Sequence, residues 1–111
     1  MGKTLLIDTV DNKKIKVGLK IDKKSFYLSS NSTVLKSQVV LILIDKLLKK
    51  HGLQIKDVTQ IEVNLGPGSF TGVRVGVSVA NVLGFSLKIP VNGKKVGDFA
   101  ERYGVGWSGK S

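Results

Sequence analysis

Asn64-Leu65-Gly66-Pro67-Gly68-Ser69-Phe70-Thr71-Gly72-Val73-Arg74-Val75-Gly76 is the stretch on which the reading of the whole chain turns. Before it, Thr59 to Leu65 predicts a strand; after it, Phe70 to Leu87 predicts a helix. Between them, two glycines flank a proline, giving a turn that reaches positive backbone dihedrals yet stays stiff. Ser69 or Thr71 is placed to accept hydrogen bonds from the free N–H groups that open the helix. Those N–H groups and the helix dipole would also attract an anion. The loop lacks the Gly-Lys-Ser/Thr ending of a P-loop, however, so a structural turn is the stronger reading.

Working outward toward the N-terminus, Lys3 to Thr9 predicts a first strand and Asp11-Asn12 a turn. In Lys14 to Ile21, the residues Ile15, Val17, Leu19 and Ile21 alternate with polar positions, the period of a half-buried antiparallel strand. Asp22-Lys23-Lys24 turns the chain into a short third strand, Ser25 to Ser29. Ser30-Asn31-Ser32-Thr33 offers N-caps for a helix from Val34 to His51, stopped by Gly52 at the C-cap position. The β-branched run at 39–44 competes for strand, but Asp45, Lys46, Lys49 and Lys50 resume a helical polar face. Toward the C-terminus, Ile89 to Val91 predicts a fifth strand and Gly97 to Tyr103 a last helical turn or two. The result is an α/β chain, a mixed five-stranded sheet with two main helices. That pattern is ribonuclease-H-like, the half-unit of the actin-like ATPase fold.

The run Gly66, Pro67, Gly68, Ser69, Phe70, Thr71, Gly72, Val73, Arg74 resembles the hallmark loop of the TsaB family. Three further segments support the resemblance, which runs from about Lys3 to Ala100: Leu6-Ile7-Asp8-Thr9, Leu47-Leu48-Lys49-Lys50-His51-Gly52-Leu53 and Lys88-Ile89-Pro90-Val91. The resemblance implies the first lobe of a protein that usually has two. It also implies a non-catalytic partner in making threonylcarbamoyladenosine in tRNA, one that pairs through the helices of this lobe. The expected partner is a second copy or TsaD, the relative that performs the transfer. Two positions depart from the pattern: Leu65 stands where relatives usually carry arginine, and Lys36 where the first helix usually carries histidine.

With 111 residues the chain fits one small domain, expected as a single lobe over 1–103 followed by a flexible tail over 104–111. Eighteen Lys and Arg against eight Asp and Glu give a net charge of +10, enough to attract polyanions at low salt. Lys13, Lys14, Lys16, Lys20, Lys23 and Lys24 cluster in the first hairpins, where contact with tRNA phosphates competes with a simply solvated surface. There is no cysteine and only one histidine, so neither a disulfide nor an all-protein metal site is expected, and no cofactor. The absence of a signal peptide points to the cytoplasm. The longest apolar run, Val39 to Ile44, is far short of the ~20 residues of a bilayer span.

Catalytic candidates are few. Asp8 and Thr9 sit where an actin-like ATPase places its first phosphate loop, although a local turn role with Asp11 and Asn12 is the stronger reading. Asp8, Asp11, Glu62 and Asp98 are too scattered for a two-metal nuclease. Residues 104–111 match the P-loop pattern but lack the following helix that makes it work. Trp107, within that tail, is either a partner anchor or folded back on its own domain. His51, near a helix C-terminus, reads as a capping or surface residue.

The helices carry the stronger signal. Gly72, Gly76, Ala80 and Gly84 recur every four residues, a small-residue stripe that another helix could approach. The second helix is apolar nearly all round, and the run at 39–44 goes round the first, putting Ile42 on the same face as Gln38, Asp45 and Lys49. Cover comes either from the two helices burying one another and the sheet or from a partner. The expected partner surface is therefore Val39, Ile42, Leu43 and Leu47 with Gly72, Val73, Gly76, Ala80 and Gly84. Taken with what the resemblance implies, this favours a scaffold subunit binding a TsaD-like transferase. The alternatives are a stand-alone basic RNA-binding domain and a small metal-dependent phosphohydrolase.

Overall fold

The structure is a computed structural model that describes residues 2–11, 13–31 and 37–94. Its elements, in chain order, are β1 (Lys3–Asp8), β2 (Lys14–Ile21), β3 (Lys24–Asn31), α1 (Ser37–Lys50), a short 3-10 turn (Ile55–Asp57), β4 (Gln60–Val63) and α2 (Phe70–Leu87). They form a four-stranded sheet in the order β3-β2-β1-β4. The first three strands meander antiparallel, and β4 joins β1 in parallel. A parallel neighbour needs a crossover, and α1 supplies it.

Alternation decides which side of each strand is buried. Leu5 and Ile7 pair with Leu19 and Val17 on one side and with Ile61 and Val63 on the other, so these residues share one face of the sheet. With Ile15 they are almost wholly buried. On that face α1 lies over β2 and β3, and α2 lies over β1 and β4. Val40, Leu43, Ile44, Leu47 and Leu48 of α1, together with Val77, Val79 and Ala80 of α2, close the core. No described helix covers the opposite face, which carries Thr4, Leu6 and Asp8 of β1, Lys14, Lys16, Gly18 and Lys20 of β2, Tyr27 of β3 and Glu62 of β4.

Local chemistry ends the helices where expected. Gly52, at φ 68°, closes α1 in a paired motif: its N–H donates to Lys49 O and the Leu53 N–H to Leu48 O. In α2 the same position falls to Lys88, a non-glycine residue at φ 57°.

The expected fifth strand shrinks to one bridging residue, Val91, parallel to Ile61. Asn92 and Gly93 take positive φ immediately after it and reverse the chain. The Asn92 side chain extends the edge instead, accepting from Val63 N at 2.8 Å and donating to Val63 O at 3.1 Å. Ser30 and Asn31, expected before the first helix, belong to β3, because the ladder with β2 runs on to Lys14↔Asn31. The helical turn expected at 97–103, Asp98, Lys36, the tail over 104–111 and Trp107 lie outside the described residues.

Candidate functional site

The Gly66–Arg74 loop is anchored to the end of β1. Ser69 N–H donates to Val10 O at 2.7 Å, and Thr9 Oγ1 donates to Gly72 O inside the core. A Cβ on Gly68 would sit 2.6 Å from Val10 O, so only glycine lets the two chains come this close. Gly66 adopts φ 109°, and the Gly66–Pro67 peptide is cis. Ser69, not Thr71, is the N-cap: its Oγ accepts from Gly72 N at 3.1 Å. The loop's hydrogen bonds thus serve the junction of β1, β4 and α2.

The small-residue stripe of α2 faces inward, correcting its place in the expected partner surface. A Cβ on Gly76 would lie 2.6 Å from Thr9 Oγ1 and 3.2 Å from Val63 Cγ2, and one on Gly84 would lie 2.8 Å from Val91 Cγ2. Gly72 and Ala80 are buried on the same side. The close approach predicted for a foreign helix is made by this chain's own sheet. Leu43 and Leu47 are likewise core residues of α1, covered by the strands beneath. Val39 and Val73 are half-buried against the core, and of the expected partner residues Ile42 alone is freely accessible, at 55% exposure.

Several large apolar side chains on the outward sides of the helices were not among the expected partner residues. Leu41 is exposed beside Ile42 on α1; Val82 at 60% and Phe70 at 74% stand out from α2, with Phe85 partly so. The Arg74 guanidinium lies 5.3 Å from the Phe70 ring centroid. The signal was present in the helical period: Val82 and Phe85 lie opposite Gly76 and Ala80, so fixing the stripe to the sheet would have exposed them. The length and hydropathy of α2 match those of a membrane span, yet its glycines pack on Thr9, Ile7, Val63 and Val91 as in a core helix. The Asn81 amide, on the same helix, is buried without a hydrogen-bond partner among the described residues.

The remaining candidates are dispersed. Asp8 Oδ1 accepts from Val10 N at 3.2 Å, the local turn role expected of it. His51 packs on Phe26, with ring centroids 4.1 Å apart. No three His, Asp or Glu side chains converge among the described residues.

Residues 35–93 match the model of the family described as TsaD, tRNA N6-adenosine threonylcarbamoyltransferase. A relative from Buchnera aphidicola subsp. Schizaphis graminum, the tRNA threonylcarbamoyladenosine biosynthesis protein TsaB, is 36% identical over 90 residues, covering 80% of this chain and 42% of the relative. The protein of the same name from Bacillus subtilis is 31% identical over 91 residues, covering 79% and 40%. Among solved structures, YeaZ from Pseudomonas aeruginosa superposes with a TM-score of 0.75 at 31% identity, over 82% of this chain and 42% of that one. The chain therefore spans less than half the length of these relatives.

Proposed function

The chain belongs to the TsaB family, and from that premise we propose that it is a non-catalytic scaffold subunit in threonylcarbamoyladenosine biosynthesis. In this reading it binds and stabilises a TsaD-type transferase in the cytoplasm, and the outward sides of α1 and α2 are the contact. The observation that carries the proposal is the set of exposed apolar side chains Leu41, Ile42, Phe70 and Val82 on two neighbouring helices. Scattered apolar residues need no explanation, but large ones collected on the outer side of one helical layer favour a partner. A helical partner fits best, because Ile42 and Val82 rise from helices whose opposite faces are already committed to the sheet.

The catalytic alternative has less support. Asp8 Oδ1 accepts locally from Val10 N, and the Gly66–Arg74 loop is tied to the end of β1 by Ser69 N–H donating to Val10 O and by Thr9 Oγ1 donating to Gly72 O. The test is assembly with the TsaD homologue from the same source. Ile42→Glu combined with Val82→Glu should abolish co-elution while leaving the circular dichroism spectrum unchanged. Assembly that survives the double substitution would remove the helical layer as the contact.

A further inference from the structure

The face of the sheet that no described helix covers is electrostatically divided. Lys14, Lys16 and Lys20 stand on it along β2, all exposed, and Lys13, Lys23 and Lys24 flank the ends of the same strand. None of these lysines forms an ion pair among the described residues. Between Lys16 and Lys20 the strand carries Gly18, and the Tyr27 ring lies across it: a Cβ on Gly18 would come within 2.8 Å of Tyr27 Cδ1 and 3.0 Å of Leu6 Cδ1. The outer side of the ring faces solvent at 54% exposure, with Lys16 Nζ 4.6 Å from its centroid. Beside it opens a groove of about 290 Å³ whose far wall holds Asp8, Glu62 and Asn64.

We propose that this face binds a single-stranded segment of RNA, with phosphates along Lys14, Lys16 and Lys20 and an unpaired base in the groove beside Tyr27. The inference rests on the family reading only in taking RNA as the polyanion available to this protein; the face itself is separate from the helical layer. Lys14 and Lys16, two apart on β2, stand roughly 7 Å from each other, and Lys20 lies about 14 Å beyond Lys16 with Gly18 and Tyr27 between, so the row follows an extended backbone of phosphates past the ring. Lysines that form no ion pair among the described residues attract phosphates with no salt bridge to break, although Asp8 stands across the ladder from Lys16. Tyr27 supplies a stacking platform that a duplex, with its bases already stacked, cannot use. Asp8 and Glu62 repel phosphates from the β1–β4 side, which keeps the backbone on β2. Their oxygens and the Asn64 amide remain to accept from the exocyclic amino group of a base.

The test is fluorescence anisotropy with a labelled, mixed-sequence single-stranded RNA, titrated at several salt concentrations. Lys14→Gln/Lys16→Gln/Lys20→Gln should weaken binding at least tenfold and flatten the log-log salt slope by about two, since each single-strand phosphate contact contributes ~0.7. Lys46→Gln/Lys50→Gln/Lys56→Gln removes the same charge from exposed positions elsewhere and should leave the affinity within about twofold. Tyr27→Ala should weaken single-stranded RNA but not a duplex of equal length. Equal losses in the two triple variants, no binding at low salt, or equal affinity for polyglutamate would overturn the proposal. Assembly with the transferase, measured on the same samples, should be untouched by the β2 substitutions, so the failure of either reading shows separately.

Discussion

A methyl group at Gly76 would press on Thr9 Oγ1, Val63 Cγ2 and Ile7 Cγ2, atoms in the core between α2 and the sheet. Gly76→Ala is therefore expected to cost about 1–3 kcal/mol, measured by urea denaturation. A stability equal to the parent's would mean that α2 sits farther from β1 than described. Lys88 offers the opposite case. Its left-handed conformation opposes the preference of an L side chain, so Lys88→Gly should raise stability by about 1 kcal/mol; a loss in the same denaturation experiment would contradict it. The first of these positions was legible in sequence as part of the small-residue stripe, and the cap at Ser69 was one of two expected candidates. Lys88 was not, because glycine marks a left-handed cap in sequence and lysine does not. Thr9 escaped for a related reason: its hydroxyl finds Gly72 O only once β1 and α2 are brought together.

At the scale of the element, α2 ends where the sequence placed it, at Phe70 and Leu87, and β2 keeps its expected bounds. Capping chemistry and strict alternation are local, so they survive folding unchanged. The orientation of α2 is not local. A helix apolar on every side has no periodic signal that names its inner face, and the glycine stripe serves an approach by any neighbour, strand or helix. The sheet took it, and Gly72, Gly76, Ala80 and Gly84 with Leu43 and Leu47 of α1 became core. Two substitutions on α1 separate the roles. Leu47→Ala should cost about 2–5 kcal/mol as a buried truncation. Ile42→Ala should change stability by no more than about 0.5 kcal/mol, while weakening assembly with the partner. Equal thermal shifts for the two would show that α1 is rotated from its described setting. Ile42 is accessible because it shares its face with the exposed Gln38, Asp45 and Lys49.

At the scale of the molecule, the layer formed by the described helices leaves the sheet two unlike sides. One is covered by apolar helices whose outer sides still expose Ile42 and Val82; the other is bare of described helices and rich in lysine along β2. The fold class was legible because hairpins, crossover helix and Gly-Pro-Gly loop follow one another in an order few topologies accommodate. The fifth strand was over-read because Asn92-Gly93 reverses the chain after one bridge, and an Asn side chain standing in for backbone leaves no alternating pattern to read. The lysines were visible in sequence, but their collection on one face with Tyr27 depends on the register of β2 against β3. If the helical layer joins this chain to a transferase, light scattering of the protein alone and mixed with the TsaD homologue from the same source should show the assembly. The expected result is a single species with the summed mass of both chains, or a homodimer of this chain that gives way to it. Two unchanged peaks at the masses of the separate proteins, at concentrations where both are folded, would contradict it.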